Sequence, residues 1–121
     1  VGRRESAQQS VAPATPTAAA LIAAGHHFSI DRFPLSKAII NIGRETGNDL
    51  VINHESVSRR HAQIKQEQGR YVVYDLGSTN GTFVSFTGDV TKERRVTQNA
   101  LKNGSLVRFG NVKFLLELIN K

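Results

Sequence analysis

The sequence of 121 residues contains no cysteine, no methionine and no tryptophan. The lack of cysteine excludes disulfide bonds and thiolate metal sites and permits a reducing compartment, so we expect a cytoplasmic protein. No apolar run is long enough to cross a bilayer as a helix, and no signal peptide is recognisable, so we expect no membrane association. Because there is no initiator methionine, the chain is either trimmed of that residue or, as we expect, part of a longer protein with further domains.

Aromatic residues are scarce, at 7%, and acidic residues are outnumbered, since 16 Lys and Arg face 10 Asp and Glu for a net charge of +6. A basic surface favours anionic partners, which include both nucleic acids and phosphoproteins. Nucleic-acid-binding β-modules stack bases on aromatic side chains exposed on a sheet. Tyr71, Tyr74 and Phe114 lie at positions where the pattern predicts burial instead. Nucleic acid is therefore the less favoured partner.

Residues 1–27 are rich in Ala, Pro, Thr, Ser and Gln and offer little to bury, which predicts a flexible tail or linker ahead of a folded domain at 28–121. Thr15 and Thr17 flank Pro16 in this tail, where a kinase could reach them. A phosphorylated tail could then occupy the binding site of its own domain. A passive linker is the plainer interpretation.

After residue 27, short runs rich in Phe, Ile and Val alternate with turn residues, and no segment carries a helical stripe. Gln68-Gly69 lies between two alternating runs and predicts a hairpin. The pattern as a whole predicts an all-β sandwich of two sheets. The predicted strands are 28–33, 38–42, 50–52, 61–67, 70–76, 82–86, 105–109 and 112–119.

Three predicted loops are rich in groups that bind oxyanions. Arg44 follows a strand and presents a rigid fork of N–H donors that matches phosphate geometry. The loop 56–61 combines serine hydroxyls with two guanidinium groups, and the turn 77–82 contains Asn80, whose amide can pair with a peptide backbone. If these loops meet at one end of the sandwich, they form a shallow anion site beside peptide-reading groups.

The order and spacing of these motifs resemble the forkhead-associated (FHA) domain over about residues 28–119. The similar stretches are Gly43-Arg44, Asn48–Ile52, Ser58-x-x-His61, Asn80-Gly81 and Leu101–Gly110. The resemblance implies a β-sandwich of about eleven strands that binds phosphothreonine peptides through loops at one end. The implied partner is a phosphothreonine-containing protein, either a substrate of a Ser/Thr kinase or the kinase itself, and no cofactor is expected.

The resemblance also implies roles for eight residues. Phosphate contacts would come from Arg44, Ser58 and Arg59, ligand-backbone contacts from Thr79 and Asn80, and the architecture of the loops from Gly43, His61 and Gly81. The basic stretch 86–98 departs from the family pattern, and its cations Lys92, Arg94 and Arg95 are interpreted as a solvated face.

Catalysis and metal binding are not expected. Ser58 and His61 superficially suggest a hydrolase, but the G-x-S-x-G elbow of such enzymes is absent. His26-His27, His54 and His61 lack the spacing of zinc ligands. The alternatives that remain beside phosphopeptide recognition are a nucleic-acid-binding β-sandwich and an interaction domain that works independently of phosphorylation.

Overall fold

The computed structural model describes residues 19–24, 32–86 and 92–118, and these form eleven β-strands. The strands are β1 (Ala19–Ala23), β2 (Arg32–Pro34), β3 (Ile39–Gly43), β4 (Leu50–Val51), β5 (Ala62–Glu67), β6 (Arg70–Asp75), β7 (Thr82–Ser85), β8 (Arg94–Val96), β9 (Gln98–Leu101), β10 (Leu106–Phe109) and β11 (Val112–Leu118).

The strands form two sheets, one of five strands in the order β9-β6-β5-β3-β4 and one of six in the order β2-β1-β11-β10-β7-β8. Neighbouring strands are antiparallel except for β3 and β4, which pair in parallel. The prediction of an all-β, two-sheet sandwich with about eleven strands is confirmed.

The core lies between the sheets, where each strand contributes every second side chain. Ile40 and Ile42 alternate inward along β3, and Val107 and Phe109 do so along β10 of the opposite sheet. Each such fully buried side chain contributes about 1.5–3 kcal/mol of transfer free energy. The packed sheets provide a rigid base for the loops at their ends.

The predicted hairpin at Gln68-Gly69 is confirmed. Glu67 and Arg70 are the last paired residues of β5 and β6, so the loop has two residues. Gln68 and Gly69 have φ values of 52° and 79°. Two consecutive positive φ angles are the signature of a type I′ turn, whose twist matches that of the flanking strands.

The predicted boundary between tail and domain at residue 27 was wrong. Residues 19–23 form β1, which lies between β2 and β11, and Ala19, Ala20 and Leu21 are fully buried. The composition of residues 1–27 offers little to bury, but a strand with a neighbour on each side gains backbone hydrogen bonds that its composition does not reveal. Residues 1–18 and 25–27 lie outside the described part of the chain.

The basic stretch 86–98 also departs from its interpretation as a loop, because it contains the edge strand β8. Lys92, Arg94 and Arg95 are exposed, as predicted, and Val96 alone of the strand packs against the core. An edge strand with one inward side chain carries almost no periodic signal. The strand β9 was likewise not among the predicted strands. No helix in the described residues is long and apolar enough to cross a membrane.

We expect Leu21→Ala to lower the free energy of unfolding by about 2–5 kcal/mol, because it removes a fully buried side chain from β1. Ile22→Ala, at the neighbouring half-buried position, should cost about 1 kcal/mol. Denaturant unfolding of both variants checks the prediction. Equal, small effects would show that β1 does not stabilise the domain.

Candidate functional site

Three loops converge at one end of the sandwich, where Ser58 connects them. The N–H of Arg44 donates to the carbonyl of Ser58 at 3.0 Å, and the N–H of Thr79 donates to the Ser58 hydroxyl oxygen at 3.1 Å. The N–H of Glu45 donates to the carbonyl of Arg59 at 3.3 Å. The loops after β3, before β5 and after β6 therefore form one surface, as the sequence predicted for the loops at one end.

This surface contains an open pocket of about 500 Å³ with a basic lining. It is lined by Arg44, Glu45, Ser58, Arg59, Arg60 and Thr79. Three guanidinium groups face one carboxylate, so the pocket favours an anion. Four of the predicted site residues thus share one cavity. Asn80 directly follows Thr79, one of the lining residues, in the chain.

Arg44 is held in place by its own loop. Its Nε donates to the carbonyl of buried Val57 at 2.9 Å, while the side chain as a whole remains exposed. This bond uses one of the five N–H donors of the guanidinium and leaves the terminal nitrogens available to a ligand. Arg60 Nε lies 3.9 Å from Glu45 Oε1, and this ion pair is weak because both side chains are exposed. No described carboxylate pairs with Arg59.

His61 connects the Ser58 loop to the turn that follows β6. The ring is fully buried, its Nδ1 accepts from the N–H of Ser58 at 3.1 Å, and its Nε2 donates to the carbonyl of Gly81 at 2.9 Å. These bonds require a neutral ring with its proton on Nε2. Burial lowers the pKa of His61, Arg95 adds to this effect, and the Gly81 carbonyl and Asp75 oppose it.

The same geometry argues against a catalytic Ser58–His61 pair. Neither ring nitrogen of His61 bonds the Ser58 hydroxyl, because Nδ1 binds the backbone N–H and Nε2 binds Gly81. A nucleophilic serine needs its hydroxyl within hydrogen-bond reach of a base. In addition, no group of three potential metal ligands occurs in the described residues.

Asp75, which the sequence analysis missed, organises the turn that carries Thr79 and Asn80. Its carboxylate accepts from the N–H groups of Gly77 and Ser78 at 2.9 and 3.0 Å and from the hydroxyls of Ser78 and Thr82. Burial alone would raise the pKa of Asp75, but these hydrogen bonds outweigh it and the pKa lies below 3.8. An Asp at a strand end with Ser three residues later is a recognisable Asx-turn signal.

Asn80 is exposed, and a hydrogen bond to the backbone of Ser56 fixes the orientation of its side chain. Its Nδ2 donates to the carbonyl of Ser56 at 2.9 Å, and no described residue donates to its Oδ1. Ser56 is itself buried, and its hydroxyl oxygen is bound to His54 Nδ1 at 2.8 Å and to the N–H of Asn111 at 2.9 Å. Asn80 therefore presents a free acceptor to the surface.

Gly43 and Gly81 are required by the loop geometry for different reasons. A Cβ on Gly43 would lie 2.2 Å from the carbonyl oxygen of Arg59, whereas Gly81 has a φ of 92° that favours glycine. Asn48 also had no predicted role. Its Nδ2 donates to the carbonyls of Glu45 and Arg59, both at 2.8 Å, and so joins the two loops where Gly43 lies close to Arg59. Its place in the Asn48–Ile52 motif was the available signal.

The predicted phosphosites Thr15 and Thr17 lie outside the described residues, as do His26 and His27. The structure therefore brings together Gly43, Arg44, Ser58, Arg59, His61, Thr79, Asn80 and Gly81, and the proposed tail sites remain predictions.

We expect the stability of the domain to fall as the pH decreases from 7.5 to 5 because of His61. The pKa of this ring in the folded chain is depressed below 6.5, so the unfolded chain takes up a proton first as the pH falls. One such proton contributes a slope of at most about 1.4 kcal/mol per pH unit. Denaturant unfolding across this range checks it: His61→Gln should lose that slope and His54→Gln should keep it.

We expect Gly43→Ala to lower the free energy of unfolding by about 1–3 kcal/mol, because the new methyl group would overlap the backbone of Arg59. Gly47→Ala is the matched control, since nothing lies within 4 Å of its Cβ position and its φ is not positive. Its stability should be unchanged or raised by up to about 1 kcal/mol. Similar losses in both variants would contradict the close approach at Gly43.

Two curated proteins show what this chain is similar to in sequence. The chain is 32% identical over 111 residues to the glycogen accumulation regulator GarA of Mycobacterium tuberculosis, with 92% of this chain and 64% of that protein covered. It is 34% identical over 89 residues to the oxoglutarate dehydrogenase inhibitor of Corynebacterium jeikeium, with 74% of this chain and 56% of that protein covered. The chain thus spans less than two thirds of the length of these relatives.

Among solved structures, the fold is similar to Mycobacterium tuberculosis EmbR in complex with a low-affinity phosphopeptide, with a TM-score of 0.73, 30% identity, and 87% of this chain and 25% of that chain covered. An FHA domain solved in a study of phosphothreonine-dependent interactions matches with the same TM-score at 25% identity, over 87% of this chain and 100% of that one. The FHA domain family model matches residues 40–110, more than half of the sequence. This chain belongs to the FHA domain family.

Proposed function

We propose that this chain is a non-catalytic module that binds a phosphothreonine-containing segment of a partner protein and thereby regulates it. The observation that carries the proposal is the pocket that Arg44, Arg59 and Arg60 line together with Ser58. A site of this kind matches the recognition of phosphorylated motifs by arginine clusters.

The charges and hydrogen bonds of the pocket suit a phosphate monoester. A phosphorylated threonine carries a charge of about −1.5 to −2 and three strong acceptor oxygens at neutral pH. Arg44 can supply its terminal N–H groups and Arg59 a guanidinium that no described carboxylate pairs with, while the Ser58 hydroxyl hydrogen remains available because the oxygen accepts from Thr79. Each charge-assisted bond contributes about 1.5–3 kcal/mol.

The turn beside the pocket suits the backbone of the same ligand. Thr79 lines the pocket and Asn80 follows it directly, with an Oδ1 that no described residue occupies. An amide acceptor fixed by Ser56 can accept from a ligand N–H at little entropic cost, because its orientation is already set. A phosphothreonine seated in the pocket would therefore place its neighbouring peptide bonds near Asn80.

The relatives support a regulatory partner-binding role. EmbR was solved with a phosphopeptide, and a second FHA domain was solved in a study of phosphothreonine dependence. The relatives from Mycobacterium and Corynebacterium are a regulator and an enzyme inhibitor. We extend these properties to this chain: its partner would be a cytoplasmic protein phosphorylated on threonine, either a kinase or a kinase substrate.

The described aromatic residues give little support to nucleic-acid binding. Tyr71 and Phe114 are buried as predicted, Tyr74 is half-buried with its hydroxyl bonded to Glu67, and Phe86 alone of the described aromatics is exposed. Base stacking on single strands requires several accessible rings. The basic surface is explained instead by the arginine pocket and its surroundings.

We expect phosphothreonine peptides to bind this chain and Arg44→Ala to weaken binding at least tenfold, because the variant loses charge-assisted bonds to the phosphate. Arg70→Ala is the matched control, since it removes the same charge at the β5–β6 hairpin, at the other end of these strands. Isothermal titration calorimetry with a degenerate phosphothreonine pool and its phosphoserine and unphosphorylated counterparts measures the effect.

Heat should appear with phosphothreonine, be much weaker with phosphoserine and be absent without phosphate. Equal affinity of both arginine variants would show that binding is a general charge effect, and three silent pools with a folded domain would overturn the proposal. Peptides covering Thr15 and Thr17 in phosphorylated form extend the same titration to the self-recognition hypothesis.

A further inference from the structure

Arg95 is an exposed cation beside the ligand-binding turn but outside the arginine pocket. Its Cα pairs with Phe83 across β7 and β8. Its side chain extends toward the turn, because Nε and Cζ lie 2.7 and 2.9 Å from the position that a Cβ on Gly81 would occupy. The guanidinium therefore covers the residue that directly follows Asn80, and it can do so only because Gly81 has no side chain.

The charge of Arg95 is not neutralised by a described carboxylate. Glu93, two residues earlier in the chain, is bound by Arg108 through two bonds of 2.8 Å, and this pair is only 15–20% exposed. Arg95 also contributes to lowering the pKa of His61, so its positive charge acts at the base of the turn. A guanidinium stays charged at all relevant pH values.

The positions of Thr79 and Gly81 limit the distance between the arginine pocket and Arg95. Thr79 lines the pocket and Gly81 contacts Arg95, and two residues of chain span at most about 7 Å. An extended ligand advances about 3.3 Å per residue. A ligand side chain one or two residues from the phosphothreonine would therefore lie level with Arg95.

We propose that Arg95 forms a second anionic subsite, which binds a carboxylate or a second phosphate one or two residues from the phosphothreonine of the same peptide. The inference rests on the proposed function and narrows its ligand to acidic or doubly phosphorylated segments. Because Arg95 is exposed, a single carboxylate should strengthen binding only up to about fivefold. A second phosphate, with more charge and more acceptors, should strengthen it about tenfold.

Arg94 provides a matched control for this subsite. It is the adjacent residue, is also exposed and carries the same charge. It pairs with Val84, whose side chain is buried in the core, so Arg94 leaves the strand on the face opposite to Arg95. Arg94→Gln and Arg95→Gln therefore change the net charge equally and differ only in the face that loses it.

The test is a calorimetric titration with an alanine-based phosphothreonine peptide in which one residue is varied through the three positions on each side. At each position the residue is Glu, phosphothreonine or neutral Gln. We expect the Glu peptide to bind several-fold more tightly than the Gln peptide at position one or two on one side of the phosphothreonine. Arg95→Gln should abolish this preference without changing the affinity for the Gln peptide, Arg94→Gln should preserve it, and Arg95→Lys should retain part of it.

Each outcome of the titration either supports or overturns the second subsite. Binding of the Gln peptide with no Glu or phosphate preference at any position would overturn the second subsite and leave the proposed function intact. Equal loss of preference in the Arg94 and Arg95 variants would reduce it to a general charge effect and overturn it as well. A preference for phosphate but not for Glu would restrict the subsite to doubly phosphorylated ligands, and silence of all peptides would overturn both proposals.

Discussion

The two hydrogen bonds of the buried His61 ring hold together the end of the sandwich that carries the arginine pocket. One nitrogen accepts from the N–H of Ser58, and the other donates to the carbonyl of Gly81, which also accepts from the N–H of Gly110 at 2.9 Å. The loops that carry Ser58 and Gly81 therefore depend directly on one neutral ring, and Gly110 joins them through the shared carbonyl. If the ring were removed, the N–H of Ser58 would lose its partner and the Gly81 carbonyl would keep only the N–H of Gly110. An unsatisfied buried group costs about 1–3 kcal/mol.

Most polar groups at this end form hydrogen bonds within the protein, and these bonds fix the orientation of the few donors and acceptors that remain free. Arg44 Nε is bound to Val57, Asn80 Nδ2 to Ser56, and the Ser58 hydroxyl oxygen to Thr79. These bonds orient the remaining guanidinium donors and the Asn80 acceptor before any ligand arrives. Preorganised groups lose little freedom on binding, so a shallow, exposed pocket can still be selective.

The distribution of charge around the 77–81 turn follows the same logic. Arg44, Arg59 and Arg60 lie on the Thr79 side and Arg95 on the Gly81 side, so cations flank the turn that would carry the ligand backbone. The only carboxylate in the pocket lining is Glu45, while Asp75 is bound by the turn itself and Glu93 by Arg108. Asp75 and Glu93 are thus engaged in structure, and within the pocket lining Glu45 alone opposes the positive charge of the three arginines.

The sequence alone determined the sandwich, the hairpin at Gln68-Gly69 and the three loops that carry the site, because strand alternation, turn residues and short motifs are local properties of the chain. It did not reveal β1, whose pairing with β11 joins strands distant in sequence, or β8, an edge strand that pairs with β7 and turns one side chain inward. Nor could it assign Asp75, Asn48 or Arg95. The tertiary structure decided these roles, because hydrogen bonds from Asn48 to Arg59 and the contact of Arg95 with Gly81 exist only once the strands have aligned.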